Sequence, residues 1–291
     1  MSGTVTKSNG WAKSPVAARR RAIDLAATGL SFVATAVAIL MLASILWTLV
    51  SNGIAGLSVV ALIRPMGPPG SHGGLANAIV GSVIQTVVAL LMGAPIGLCC
   101  GIYLSEYGGK GRFASTVRFV SDVLLSAPSI LIGLFVYLVL VAPFGHFSGF
   151  AGSVALAILA VPIIVRTTED MLRLVPTAMR EAGMALGAKK WRVVVFLCLR
   201  SARVGVLTGI LLAVARVSGE TAPLLFTSLG NENWSFSLAQ PMASLPLAIY
   251  QYAGKPYDDW LALSWTGALL VTVGVLTINI VVRFGIRSRK G

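Results

Sequence analysis

Two full charges, Arg216 and Glu220, interrupt the apolar stretch from Val204 to Ser228. On a continuous helix they would stand on one face, one turn and roughly 6 Å apart. An ionised side chain at the centre of a membrane costs at least about 2.5–3.5 kcal/mol, so we expect both to face a polar path rather than lipid. A guanidinium can grip two oxygens of an anion, and a carboxylate can neutralise it when the path is empty. The pair therefore predicts a substrate path for an anion, with Gly219 and Pro223 allowing the helix to deform.

The alternative is a structural ion pair that fixes this segment to its neighbours. An arginine placed four residues before a glutamate is the weaker order on a helix, and a buried ion pair is poor evidence of stability. Replacing Arg216 with glutamine distinguishes the anion path from the structural ion pair. Loss of transport by an assembled complex indicates an anion path, whereas failed assembly indicates a structural pair.

A second group of candidate residues lies in the basic segment from Val175 to Trp191, which is too polar to sit in lipid. Pro176 suits the first turn of a helix and Gly187 suits a helix end, so the segment predicts a short surface helix over Thr177–Leu186. Its apolar positions share one face, and such a helix can dock into a groove of a partner protein. These positions are Met179, Ala182, Ala185 and Leu186, whereas Arg180 and Glu181 lie off that face. The alternative is a solvated basic loop at the lipid head groups.

The remaining residues that could carry chemistry have no suitable partners in the sequence. They are Cys99, Cys100, Cys198, His72 and His146. The cysteines have no metal-ligand or disulfide spacing and are read as packing residues, and the histidines as solvated loop residues. The pair Gly109-Lys110 is followed by glycine rather than Ser or Thr, so it is not a phosphate-binding Walker motif. The sequence thus predicts no catalytic residue, metal site or cofactor in this chain.

The composition indicates a membrane protein. Hydrophobic residues make up 56% of the 291 residues, charged residues only 11%, and the mean hydropathy is +0.85. Ordinary soluble domains are less apolar. The net charge of +13 could suggest a nucleic-acid binder, but the basic residues fall between apolar runs instead of forming a folded basic face.

Six apolar segments are long enough to predict six transmembrane helices, and therefore an all-α membrane protein. The second is interrupted by Gly93, Pro95 and Gly97, and the fourth continues into a polar extension of the same helix. The first is too long for the core of a signal peptide, so we expect it to be uncleaved. The segments are Ile23–Val50, Leu75–Tyr103, Arg118–Val141, Ala151–Val165, Val204–Ser228 and Trp260–Arg283. Residues 1–22 predict a disordered basic tail, and residues 23–291 a membrane domain with a polar loop at about 166–203.

The basic residues predict the orientation of the spans. Twenty of the 23 Lys and Arg residues fall on one side, against Arg64 and Lys255 on the other. The positive-inside rule then places both termini and the loop carrying Glu181 in the cytoplasm. The longest exterior segment, Asn231–Asp259, is broken by prolines and predicts one or two short helices. They would dock an external partner or cap the bundle.

Several of these stretches resemble the phosphate-specific ABC importer permeases of the PstA type. Glu181-Ala182-Gly183, followed by Gly187 and by Leu197-x-Leu199, is similar to the EAA loop that seats such permeases on their ATPase. The sequence departs from that pattern at Gly183, where the family has a second alanine, and at Arg200, where it usually has proline. The other matching stretches are Ala127-Pro128-Ser129-Ile130 with Gly133-Leu134-Phe135, Val161–Glu169, Arg216 with Gly219–Leu224, and Leu245-Pro246 with Ile249-Tyr250.

The resemblance implies a type I ABC importer permease fold in a bacterial cell membrane. It implies a homologous second permease of the PstC type, a dimer of PstB-type ATPase subunits that binds ATP and magnesium, and an external PstS-type phosphate-binding protein. On this interpretation Met179, Ala182 and Leu186 fill a groove of the ATPase, and Glu181 fixes the register by a charged hydrogen bond. A permease for another oxyanion, such as sulfate or molybdate, and a secondary anion transporter are the alternatives.

Overall fold

The computed structural model describes residues 15–71, 73–109 and 111–287. Within these ranges the regular elements are helices, as the sequence predicts, and the only extended pairing is one isolated bridge between Leu229 and Met242. Two π-helical segments, residues 137–141 and 193–198, join neighbouring helices. The helices are α1 Pro15–Ala55, α2 Val59–Ile63, α3 Ala76–Glu106, α4 Arg112–Ser126, α5 Ser129–Val136, α6 Ala142–Phe144, α7 Gly149–Arg173, α8 Thr177–Ala185, α9 Lys190–Arg192, α10 Leu199–Ser218, α11 Ala222–Thr227, α12 Leu245–Ala253 and α13 Asp258–Arg287.

Helix α1 begins at Pro15, inside the stretch expected to be a disordered tail, so residues 15–22 are helical. The first 14 residues of that expected tail lie outside the described ranges. Proline suits this position because the first helical residue needs no N–H partner. Among the described residues, 15–51 form one unit, and a second unit begins at Asn52.

Among the described residues, five helices are long and apolar enough to cross a membrane, and a sixth crossing is obtained when α4 and the segment Ser129–Phe144 are counted together. These two parts meet at an angle of 106°, so the predicted single span Arg118–Val141 is wrong in form. The cause is Pro128, which disfavours helical backbone at Ala127. Both residues are extended, with ψ of 136° and 130°.

The segment predicted as a polar loop at about 166–203 includes the ends of two long helices. Helix α7 runs to Arg173, in line with the polar extension expected for the fourth span, and the next candidate span begins at Lys190. Residues 174–189 connect the two helices.

Helix α3 is continuous, and its glycines pack against α7 rather than interrupting the span. Gly93, Gly97 and Gly101 recur every four residues and are buried. A Cβ atom at Gly97 would lie 2.8 Å from the Cβ atom of Ile164, and one at Gly101 would lie 2.6 Å from that of Thr168. Small residues at this spacing let two membrane helices approach closely.

The two ends of α3 mark the two ends of the bundle in the second unit. Near its first turns, the Ser82 hydroxyl accepts a hydrogen bond of 2.6 Å from the N–H of Leu245, the first residue of α12. At its last residue, Glu106 accepts hydrogen bonds from α8. We call these the α12 end and the α8 end. Between them lies an apolar core that includes Leu156, Ile164, Ala213, Val217 and Leu224.

Candidate functional site

The predicted substrate path coincides with a break in the helix. Helix α10 ends at Ser218 and α11 begins at Ala222, so the continuous span expected over Val204–Ser228 is wrong. Gly219 occupies the helix end and has open space around its Cα, while Pro223 lies in the first turn of α11, where its missing N–H is not needed. The point at which the helix was expected to deform is therefore a break between α10 and α11.

Arg216 and Glu220 contact each other across this break. Arg216 Nη1 lies 2.5 Å from Glu220 Oε1. The Glu220 side chain keeps only 7% of its surface exposed, whereas Arg216 keeps 57%. The N–H bonds of Arg216 do not point at Oε1, and this buried oxygen accepts no hydrogen bond from the described residues. The pair thus combines an accessible guanidinium with a buried carboxylate that neutralises it.

A second broken helix packs against the first. A Cβ atom at Gly133 of α5 would lie 2.5 Å from Pro223 Cα, so only glycine allows this approach. Ala127, at the break between α4 and α5, packs against the same apolar core as Val217 and Leu224. Two motifs that are far apart in the sequence are thereby brought together, and their contact was not predicted.

The helix predicted over Thr177–Leu186 is α8, and it ends through a glycine turn. The Gly187 N–H donates to the Met184 carbonyl at 2.9 Å, and the Ala188 N–H donates to the Gly183 carbonyl at 3.3 Å. Gly187 has φ of +82°. This is the Schellman arrangement, which favours glycine because other residues are strained at positive φ.

The faces of α8 differ in part from the prediction. Leu186 is 89% exposed, and Glu181 and Ala182 are also exposed, so these three are available to a partner. Met179, which was placed on the same docking face, is half-buried against its own chain, with its Sδ 3.7 Å from the Ser201 hydroxyl. The helix needs one apolar face to hold it on the bundle, and Met179 belongs to that face.

The inner face of α8 also explains one departure from the EAA pattern. A Cβ atom at Gly183 would lie 3.1 Å from a methyl group of Val193. Glycine therefore lets α8 pack closely on the π-helical segment that precedes α10. At Arg200, the other departure, α10 continues without a break and the side chain is exposed.

Sequence reasoning missed Arg180, the most connected residue of α8. Its Nη2 lies 2.8 Å from Glu106 Oε1, and its Nε lies 3.2 Å from both carboxylate oxygens. It also donates to the backbone carbonyls of Leu172 and Val175. The hydrogen bond to Glu106 raises the pKa of Arg180. The sequence shows only a charged residue next to an otherwise apolar helix face. It does not indicate the partner of Arg180, because Glu106 lies 74 positions away.

A second buried carboxylate at the α8 end was also missed. Glu169 is 2% exposed and pairs with Arg118 at 2.8 Å and with Arg173 at 2.5 Å. Arg118 donates further to the carbonyls of Leu104 and Gly109. The cluster ties α4 to α7 and to the end of α3. The spacing of Glu169 and Arg173 on one helix is visible in the sequence, but the position of Arg118 beside them is not.

At the α12 end, side chains of α3 hold the irregular segment that precedes α12. Asn77 Nδ2 donates to the carbonyls of Asn231 and Glu232 at 3.0 and 2.8 Å, and Gln85 Nε2 donates to Ala243 at 3.1 Å. Of the one or two short helices predicted between Asn231 and Asp259, one forms, α12, with Pro246 in its first turn. Trp234 and Phe236 are exposed and stacked, with ring centroids 5.6 Å apart. The segment thus presents aromatic surface on a fixed backbone.

The described residues contain no cluster of three or more His, Cys, Asp or Glu side chains suited to a metal ion. Cys99 is exposed, Cys100 is half-buried and Cys198 is buried, all three as free thiols. His146 is exposed, and His72 lies outside the described ranges.

The chain is similar to known transport proteins over most of its length. Residues 93–289 match the family described as binding-protein-dependent transport system inner membrane component. The phosphate transport system permease protein PstA of Pasteurella multocida is 50% identical over 254 residues, which are 87% of this chain and 91% of that protein. The PstA of Haemophilus influenzae is 50% identical over 262 residues, 90% and 93% of the two chains. The PstA 1 of Mycobacterium tuberculosis is 36% identical over 285 residues, 95% of this chain and 92% of that one.

Solved structures share the fold at lower identity. The inward-facing MetNI methionine ABC transporter superposes with a TM-score of 0.57 at 22% identity, covering 72% of this chain and 92% of that chain. An amino acid ABC transporter with histidines gives a TM-score of 0.55 at 16% identity, with the same two coverages. These likenesses establish the type I importer permease fold.

Proposed function

Because the chain belongs to the family of binding-protein-dependent transport system inner membrane components, we propose that it is a permease subunit of an ATP-driven importer of inorganic phosphate. It forms half of the translocation path and hydrolyses no ATP itself. The relatives at 50% identity are named as phosphate permeases, which supports phosphate as the cargo. ATP and magnesium belong to a partner ATPase, and this chain binds no cofactor.

The observation that carries the proposal is the exposed guanidinium of Arg216 in an apolar span. More than half of this side chain is uncovered by its own chain. A charge that faces lipid within an apolar span is costly, so we expect the uncovered part to face a second subunit or a water-filled path. Both surroundings fit a permease that completes its path with a homologous partner.

The Arg216–Glu220 contact suits phosphate in particular. Arginine stays charged at any physiological pH and attracts an anion. When the path is empty, Glu220 neutralises this charge. A carboxylate such as that of Glu220 can accept a hydrogen bond from a protonated phosphate, which fully ionised sulfate cannot donate. The pair therefore binds and releases the anion while it favours phosphate over sulfate.

We assign the partners from the two ends of the bundle. The α8 end carries the exposed residues Glu181, Ala182 and Leu186, which dock on a PstB-type ATPase in the cytoplasm. The α12 end faces outward and receives a PstS-type phosphate-binding protein. The second permease is of the PstC type. Both chain termini are cytoplasmic in the bacterial cell membrane, in agreement with the positive-inside rule.

The test is reconstitution. The chain is expressed with its three candidate partners, purified by an affinity tag on this chain, and placed in liposomes with ATP inside and the binding protein outside. We expect co-purification of the ATPase and the second permease, and ATP-dependent uptake of radiolabelled phosphate that excess sulfate or molybdate does not inhibit. Uptake of sulfate or molybdate instead would reassign the cargo. Uptake by this chain alone would indicate a secondary transporter.

A further inference from the structure

Arg180 joins α8 to two spanning helices at once. Its guanidinium binds the carboxylate of Glu106, the last residue of α3, and the carbonyl of Leu172 in the last turn of α7. Arg180 is 19% exposed and the Glu106 side chain 5% exposed. One side chain of α8 is thus locked between the ends of α3 and α7.

Both spanning helices gain from this contact. The carbonyl of Leu172 lies in the last turn of α7, where helix carbonyls lack a partner within the helix. A carboxylate at the end of α3 is disfavoured by the helix dipole, so Glu106 needs a cation close by. Arg180 donates to this carbonyl and neutralises this carboxylate. Its paired hydrogen bonds could not be reproduced by a point charge.

Lys190, which follows the Gly187 turn, makes a second contact with the end of α3. Lys190 Nζ donates to the Glu106 carbonyl at 2.7 Å and lies 4.5 Å from the centre of the Tyr107 ring. The segments before and after the turn are therefore both fixed to the end of α3. In the described part of the chain, the exposed neighbouring residue Glu181 makes no hydrogen bond or ion pair, which leaves it for a partner.

Helix α3 can carry a displacement onward. Its glycine face is packed against α7 along Gly93, Gly97 and Gly101, and at Gly97 and Gly101 an added Cβ atom would lie within 3 Å of α7. A push on α8 that reaches Glu106 would therefore move α3 and α7 together, instead of bending a flexible loop. The opposite end of α3 holds the segment before α12 through Asn77.

We propose that Arg180 is the positioning residue that makes α8 and the end of α3 move as one body, so that closure of the ATPase is transmitted through Glu106 to the spanning helices. This inference rests on the proposed function. Glu181, Ala182 and Leu186 receive the motion, and Arg180 passes it on. Without Arg180, α8 stays docked on the ATPase but slides against the bundle.

The first experiment measures coupling in the reconstituted complex, as ATP hydrolysed per phosphate imported. We expect Arg180→Ala to keep the basal ATPase rate. The factor by which loaded binding protein stimulates ATP hydrolysis should fall at least about tenfold, since hydrogen bonds to charged groups are being removed. Arg180→Lys, which keeps the charge but not the paired hydrogen bonds, should give an intermediate loss. Lys189→Gln removes a nearby exposed charge and should behave like the parent.

Non-additivity tests whether Arg180 acts through Glu106. The double variant Arg180→Ala with Glu106→Gln should couple no worse than Arg180→Ala alone. A merely structural role would lower the yield of complex and leave the coupling ratio of the assembled fraction unchanged. A parental ratio in assembled Arg180→Ala, or in Arg180→Lys if the alanine variant does not assemble, overturns the proposal.

The second experiment does not depend on the cargo. Spin labels are placed on native Cys99 of α3 and on Ala185→Cys of α8 in the whole complex, with Cys100→Ala to prevent a third label. Cys198 is buried and stays in place. We expect a narrow distance distribution in the parent that Arg180→Ala broadens, and an unchanged distribution contradicts the link. If the parent imports no phosphate, the proposed function fails while this distance measurement still decides the role of Arg180.

Discussion

At the scale of single residues, the two charges proposed to line the path are placed more differently in the structure than the sequence predicts. Arg216 is exposed and Glu220 is buried, although a regular helix would have put them on one face with similar surroundings. The difference arises because Glu220 lies in the break between α10 and α11. A residue in an irregular segment turns in a direction that helical periodicity does not predict.

Glu220→Gln should lower phosphate uptake by at least about tenfold in a complex that assembles normally. The amide has the size of the carboxylate but carries no negative charge, so it cannot neutralise Arg216 when the path is empty. Uptake into proteoliposomes measures the effect. Glu232→Gln, which removes an exposed carboxylate at the α12 end, is the control. Equal uptake by both variants contradicts a role of Glu220 in the path.

Replacement of Gly187 should uncouple the complex through strain. Gly187→Val places a β-branched residue at φ of +82° and should destabilise the turn by about 1 kcal/mol or more. Gly187→Asn should be milder, because asparagine tolerates this conformation. The amount of assembled complex and its ATPase stimulation are measured for both. If valine and asparagine give the same result, the turn does not require positive φ.

At the scale of elements, the sequence predicted helices well and their breaks poorly. The apolar runs identified α1, α3, α7 and α13, because length and composition decide whether a segment can span a membrane. Pro128 and Gly219 end helices, whereas Pro95 and Gly97 lie inside the continuous helix α3. The outcome depends on whether a neighbouring helix packs against the small residue, and that information is not local in the sequence.

The packing of α3 on α7 predicts that a side chain at Gly97 is not tolerated. A Cβ atom there would lie 2.8 Å from Ile164, so Gly97→Val should cost about 1–3 kcal/mol through overpacking and reduce the folded protein in detergent. Gly274→Val in α13, where an added Cβ atom meets no atom within 4 Å, is the control. Thermal aggregation of the two purified variants gives the comparison. Equal midpoints would contradict the close packing of α3 and α7.

At the scale of the whole molecule, the two ends of the bundle suit two different partners. The α8 end offers a short apolar surface with one carboxylate, and the α12 end offers exposed aromatic rings on a fixed backbone. The family resemblance indicates which proteins these partners are expected to be, whereas the composition alone indicates only that the chain is a membrane protein. The ion pairs that join α8 to α3 and α4 to α7 could not be predicted, because their members are more than 50 positions apart in the sequence.

Crosslinking tests the outward assignment of the α12 end. A photoreactive amino acid at Trp234 or at Gln251 should crosslink to the loaded binding protein in the assembled complex. The same group at Leu186 should crosslink to the ATPase instead. If Trp234 and Gln251 give no crosslinks to the binding protein while Leu186 labels the ATPase, the segment before α12 caps the bundle and does not dock a partner.

The central claim is that Arg216 lies on the phosphate path, and uptake by Arg216→Gln tests it most directly. Arg203→Gln, which removes an exposed arginine from the same helix near the α8 end, is the matched control. We predict that the Arg216→Gln complex assembles and hydrolyses ATP but imports no phosphate, while Arg203→Gln imports it at the parental rate. Phosphate uptake at the parental rate by an assembled Arg216→Gln complex would contradict the account.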